Sequence, residues 1–292
     1  MAGASAMADG AMDPRALSHC AAEVREHDPD RYLATLFAPA DAREALFALY
    51  AFDHEITRVR RVVNEPMAGL VRLQWWREAL AAIAADQPPA HPVVEAVHAR
   101  WERFLPLQPR LAAAIDARER ELAVEPPADL AALERQLAAT SGEVSLGALD
   151  LLGVADAAAR AAARHLGLAL GLVRLLQSLP SDLRHGRAPL PSAWLARHEV
   201  DPEGLDLATA AQALRPVVAD LVARARAHLH EARRYRHGVP RRALAVLLPA
   251  PLLDAYLRRL ARARFDPLAP VRTRPGGSAP LGLLGRYALR RY

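Results

Sequence analysis

Arginines set into apolar helical surroundings are the residues of this chain best suited to chemistry, and the chemistry they suit is the binding of anions. Arg174 stands among Leu172, Val173, Leu175 and Leu176, with Gly167 and Gly171 on its own helix face, so its guanidinium is expected to be buried and to need a counter-charge. A protein carboxylate such as Asp182 is the expected partner, and a bound phosphate or carboxylate is the functional alternative. Arg61 shares a helix face with Thr57, one step round from an apolar stripe that also adjoins Tyr50 and His54. That polar line either borders an internal pocket or forms a solvated helix edge. Arg58, Arg61 and Arg174 together would hold a diphosphate or a phospholipid headgroup without a metal, because a guanidinium engages phosphate oxygens two at a time.

Other clusters point to less. His228, His230 and His237 fall at i, i+2 and i+9, spacings that do not converge on one helix face, so no metal site is expected there. Trp75 and Trp76 are adjacent and cannot share a face; one is expected in the core and the other at a rim or pocket. Gly186-Arg187 reads as a turn after a helix, or as a phosphate cradle. The run Arg233-Arg234-Tyr235-Arg236 and the arginines from Arg286 to Arg291 read as solvated surface, or as a face for an anionic membrane or partner. The sequence contains no P-loop, dinucleotide fingerprint, paired-cysteine motif or nucleophile elbow.

Helices must position these side chains. Leu46, Leu49, Phe52, Ile56, Val59 and Val63 recur at steps of three and four, which predicts a helix over 41–63 with one buried stripe. Asp13-Pro14 has the form of an N-cap followed by a proline at the first helical position, predicting a helix to about His27. Further helices are predicted over 66–85, 91–104, 108–124, 129–152, 155–179, 207–236 and 241–264, separated by Pro88-Pro89, Glu125-Pro126-Pro127 and Gly153. The stretch from Pro180 to Pro191 lacks periodicity and is predicted to be a loop. No strand alternation, repeat or heptad array appears.

The bulk numbers fit that picture. A chain of 292 residues, 52% hydrophobic and 24% charged, is expected to close around one core, and its 23 prolines fall mainly between helical segments. Residues 1–12 are expected to be a flexible tail, 13–268 one helical domain, and 269–292 an irregular basic tail with a short helix. The net charge of +5 favours acidic partners without choosing among them. Cys20 is the only cysteine, so no intramolecular disulfide can form, and a cytoplasmic location is the default expectation. The start lacks the basic-then-apolar pattern of a secretory signal, and no transmembrane helix is expected.

Three segments together resemble the squalene/phytoene synthase family. Arg43, Leu49-Tyr50-Ala51-Phe52 and Trp75-Trp76 are similar in spacing to its opening half. Gly186-Arg187 and Leu190-Pro191 end a match to its second signature, and LLPAPLLDAYLRRLARARFDP is similar to its C-terminal region. The matches span roughly residues 30 to 270. The resemblance implies an all-α, single-domain bundle of the terpenoid-synthase type around a central cavity. It also implies two helices bearing aspartates that hold magnesium against a prenyl diphosphate.

Those aspartates are mostly replaced. The first motif falls on Thr57, Arg58 and Arg61, and the second on Arg174, Gln177, Ser178 and Asp182, of which only Asp182 keeps its acid. An arginine about 4 Å from a cation repels it by roughly 4 kcal/mol at an effective dielectric near 20, before lost ligands are counted. Asp53 and Glu55 lie nearby but could supply one ligand, not a cluster. No catalytic residue, metal or cofactor is therefore expected. The motif positions, with the retained signatures, define a candidate anion or ligand pocket of Arg43, Tyr50, Arg58, Arg61, Arg174 and Arg187.

The likeness is greater to a divergent branch that includes a mitochondrial complex I assembly factor, through Ala51-Phe52 with Glu55 and then Arg72, Gln74 and Trp75-Trp76. It implies a non-catalytic or repurposed homologue that binds a protein partner, anionic lipid or prenyl diphosphate, with peripheral membrane contact. Nucleic acid is not an expected partner. The alternative is a divergent magnesium-dependent prenyl transferase that condenses two prenyl diphosphates through Asp53, Glu143 and Asp182.

Overall fold

A computed structural model describes residues 17–63, 65–122, 126–201, 207–271 and 275–292, which excludes Asp13-Pro14 and Glu125. The chain begins with α1 (His19–His27), α2 (Pro29–Thr35), α3 (Ala40–Val62), α4 (Pro66–Ala84), α5 (Pro92–His98), α6 (Trp101–Phe104) and α7 (Gln108–Arg120). It continues with α8 (Leu130–Leu137), α9 (Glu143–Leu151), α10 (Ala157–Arg184), α11 (Ser192–Arg197), α12 (Leu207–Ala213) and α13 (Arg215–Arg234). The last three are α14 (Leu244–Leu247), α15 (Ala250–Arg262) and α16 (Ala279–Ala288). No strand occurs among the described residues, so the fold is all-α as expected.

Two helices organise the bundle. On α3 every residue from Ala45 to Asp53 is buried, and α10 buries Leu166, Gly167, Ala169 and the unbroken run Leu170 to Val173. A helix apolar nearly all round lies inside a domain and is wrapped by its neighbours. Accordingly α13 and α9 pack along α10, while α1, α5 and α9 pack along α3.

The structure changes three local readings. First, α1 is capped by Ser18, whose Oγ accepts from the Ala21 N–H at 3.1 Å. A cap-then-proline signature is also present at Asp28-Pro29, opening the unpredicted α2, with Asp28 Oδ1 accepting from the Arg31 N–H at 3.3 Å. Second, the predicted loop after Leu179 is helix as far as Arg184, with Pro180 inside it. An interior proline costs roughly 3 kcal/mol, but Leu179 and Leu183 are both buried, each contributing about 1.5–3 kcal/mol. Packing therefore outweighs the lost hydrogen bond, and Asp182 is placed on α10 rather than on a loop.

Third, the predicted helix over 129–152 is divided by a π-helical turn at Ala138–Gly142. Thr140 Oγ1 donates to the Gln136 carbonyl at 3.0 Å and Ser145 Oγ to the Ser141 carbonyl at 2.8 Å. The widened turn lies against Gly167 of α10, where a Cβ would sit 2.7 Å from Gly142 Cα. Glycine is needed at this backbone-to-backbone approach.

Candidate functional site: an arginine-lined cavity

The junction of α1 and α2, one face of α3, the end of α7, the π turn and α10 enclose a cavity of about 980 Å³. Eight of the predicted site positions line it: Tyr50, Thr57 and Arg61 from α3, Arg174, Gln177, Ser178 and Asp182 from α10, and Arg187 just beyond. Two do not. Arg58 is about 100° round the helix from Thr57, where it pairs with Glu55 at 3.3 Å beside a separate groove. Arg43 is held at the start of α3, its Nε donating to the Ala38 carbonyl at 3.0 Å.

Asp53 anchors one wall. Its Oδ2 accepts from Arg31 Nη1 at 2.8 Å and Arg174 Nη1 at 3.0 Å. Its Oδ1 receives Thr57 Oγ1 at 3.4 Å and Arg118 Nη2 at 3.5 Å. Arg174 also donates to Asp28 Oδ2, and Arg118 Nη1 to both oxygens of Glu121 at 2.9 Å. Arg31 lies over the Tyr50 ring, 4.6 Å from its centroid. Three arginines thus face three carboxylates in a closed network in which Asp53 and Arg31 are 2% and 3% exposed.

Burial alone would raise the Asp53 pKa, but Arg174, Arg31 and Arg118 override it and hold the carboxyl well below the usual range. Burial works against the charge of Arg174 in turn, and Asp28 and Asp53 more than restore it. The partner of Arg174 is therefore a protein carboxylate as expected, but it is Asp53 and Asp28. Asp182 instead faces Arg187 at 3.5 Å.

A magnesium cluster does not fit these residues. Asp53 and Asp28 are committed to arginines, Thr57 and Arg61 stand at the first-motif positions, and Ser178 Oγ donates to the Leu175 carbonyl at 3.1 Å. Glu143, a candidate ligand for a displaced site, is bound to Arg110 and does not line the cavity. Glu23, His27 and His54 bring one donor atom each within 4.8 Å of one another. The two rings, however, stack at 4.3 Å and 5°. A cation between them would lie out of both ring planes, whereas imidazole donates within its plane. Of the other histidines, His228 meets Glu134 and His165 rather than His230 or His237.

Cationic donors remain for an anion. Among the described residues Arg60, Arg61 and Arg120 line the cavity and form no ion pair with a carboxylate. Arg118 Nε and Arg187 Nε are buried without a hydrogen-bond partner, and unmade buried bonds of this kind favour an incoming acceptor. Spacing could not have found Arg118, Arg120 or Glu121, which reach the site only through the packing of α7. Asp28 and Arg31 did carry a signal, the Asp-Pro cap of α2.

Asp30, also on the cavity wall, is pushed up to about 7 by burial and by its neighbour Asp28. A folded-state pKa raised above the unfolded value gives a contribution present at low pH and lost as pH rises through about 7. Asp30→Asn, which cannot ionise, should therefore gain stability over wild type with rising pH. The gain at pH 8 should exceed that at pH 5 by about 2–3 kcal/mol, read from urea denaturation at both pH values. An equal effect at both would show that Asp30 ionises normally.

The squalene/phytoene synthase family model matches residues 24–278. NADH dehydrogenase (ubiquinone) complex I, assembly factor 6 of Bos taurus is 30% identical over 274 residues, covering 94% of this chain and 82% of that one. Presqualene diphosphate synthase of Rhodopseudomonas palustris is 28% identical over 261 residues, covering 88% and 92%. Among solved structures, a dehydrosqualene synthase superposes with a TM-score of 0.76 at 18% identity, over 92% of this chain and 94% of that one. The match runs unbroken through both altered motifs and both helices that frame the cavity, so the chain belongs to the squalene/phytoene synthase family.

Proposed function

We propose that this protein is a repurposed, non-catalytic member of its family, an accessory factor that engages a protein partner during assembly of a respiratory complex. The observation that carries this reading is the commitment of Asp53 and Asp28 to Arg31, Arg118 and Arg174, in a cavity whose first-motif positions are Thr57 and Arg61. Carboxylates neutralised by guanidinium groups are not available to gather magnesium around a leaving diphosphate. The assembly-factor relatives support the partner and its setting.

In the same reading the cavity binds a phosphate-bearing anion, a prenyl diphosphate or lipid headgroup, through Arg61, Arg118 and Arg187 with no metal. No helix among the described residues is long and apolar enough to cross a membrane. Peripheral contact of a cytoplasmic protein with anionic lipid is supported by α16 and the residues that follow it, where Leu281, Leu284 and Leu289 are exposed beside Arg286, Arg290 and Arg291.

The test is incubation of the purified protein with farnesyl or geranylgeranyl diphosphate, with and without magnesium. No diphosphate release above the buffer control is expected, whereas inorganic pyrophosphate should bind equally well in magnesium and in EDTA. Magnesium-dependent release with a condensed C30 or C40 product would overturn the proposal and establish a divergent synthase.

A further inference from the structure

Helix α4 turns one face inward through Gly69, Leu73, Trp76, Leu80 and Ile83. On the opposite side Met67, Val71 and Trp75 are 68%, 64% and 36% exposed. Their spacing of i, i+4 and i+8 makes one apolar stripe about 12 Å long. The helix is held by its inner face; at the end of the stripe Trp75 packs its ring on Trp76 and His91, while Met67 and Val71 stay open.

The stripe leads into a groove of about 260 Å³ floored by Val59, Val62 and Trp76 and walled by Trp75. Val62 is itself half exposed. The groove shares no lining residue with the arginine-lined cavity. Its charged rim is unequal. Arg58 is paired with Glu55, whereas Arg72 is exposed and forms no ion pair among the described residues, leaving an excess of one positive charge.

We propose that this face of α4 is a docking surface for an acidic amphipathic helix of a partner protein. One apolar side chain of that helix would enter the groove against Trp75, and carboxylates on its flank would meet Arg72 and Arg58. A contiguous apolar ridge presenting a half-buried tryptophan is the kind of surface that an amphipathic helix covers. The concave shape and the Glu55 carboxylate at the rim favour a protein over a lipid surface. This inference rests on the reading of the chain as a partner-binding protein and assigns the place of contact.

The test uses two fluorescently labelled 15-residue helical peptides with leucines along one face, one with glutamates and one with lysines on the flanks. Fluorescence anisotropy is expected to show the acidic peptide binding at least tenfold more tightly. Val71→Glu should weaken that binding at least tenfold, and Arg72→Glu should shift the preference toward the lysine peptide. Arg61→Ala, in the separate cavity, should leave peptide binding unchanged. Absence of binding, or binding indifferent to Val71→Glu, overturns the proposal. A dimer of the protein that dissolves in Val71→Glu overturns it in favour of a second copy of this chain. Prenyl turnover with acid-selective peptide binding would remove the non-catalytic reading and leave the docking surface standing; no turnover and no peptide binding would do the reverse.

Discussion

Asp53→Asn is expected to cost about 3–5 kcal/mol of folding stability, the range for removing one partner of a buried ion pair, measured by urea denaturation at pH 7. The substitution keeps the shape of the side chain and an oxygen to accept from Arg31 or Arg174, so what it removes is charge. Arg31 and Arg174 would then share Asp28 alone, and Arg118 would keep only Glu121. Arg31 is nearly inaccessible to water, so its cation would depend on a shared Asp28 and the Tyr50 ring. Adding Arg174→Met, which removes one of the surplus cations, should recover part of the loss, because the two residues belong to one network and their effects are not additive. An Asp53→Asn protein as stable as wild type would mean that this carboxylate is not needed by the arginines. It would then be available as a metal ligand, and the argument for a non-catalytic cavity would lose its basis.

The legible and illegible parts of this site differ in a physical way. Leu46, Leu49, Phe52, Ile56 and Val59 are buried on α3 as their spacing requires, because a long helix repeats its period often enough to identify a face. Thr57, Arg61, Arg174 and Asp182 were found because family spacing places them on the two central helices. Trp76 is buried and Trp75 reaches a groove, as adjacency demands. The seven-residue α2 offers no full repeat, so Arg31 was missed although it is among the most deeply buried cations of the site. The network joins residues 28, 31, 53, 118, 121 and 174, and no local pattern records a contact of α7 or α10 with Asp53 on α3. The stretch from Pro180 misled in the opposite direction. It lacks periodicity and reads as a loop, yet buried Leu179 and Leu183 hold its start in the helix.

Gly167→Ala should destabilise the fold by about 1–2 kcal/mol, whereas Gly171→Ala, one turn along the same helix, should change it by less than about 1 kcal/mol. Both glycines face the α8 side of α10, and alanine at either place gains about 1 kcal/mol in helix propensity. The difference lies in what the new methyl meets. At Gly167 it would press on Gly142 Cα at 2.7 Å, the Ser141 carbonyl oxygen at 2.8 Å and Gly142 N at 3.0 Å, all backbone atoms of the π turn. At Gly171 it would meet Leu137 Cδ2 at 2.8 Å, with Cβ and Cδ1 at 3.3 Å. A leucine can turn its end away, but the π turn cannot yield without moving α9 or α10, and such overpacking costs about 1–3 kcal/mol or more. Arg174 lies two turns beyond Gly167 on α10, so a shift that relieves the clash also moves its guanidinium relative to Asp53 and Asp28. Gly167→Ala is therefore expected to weaken pyrophosphate binding by several fold along with stability, measured by calorimetric titration below the melting transition. Unchanged stability in Gly167→Ala would show that the π turn relaxes freely, and that close contact with α10 does not set the position of the arginine.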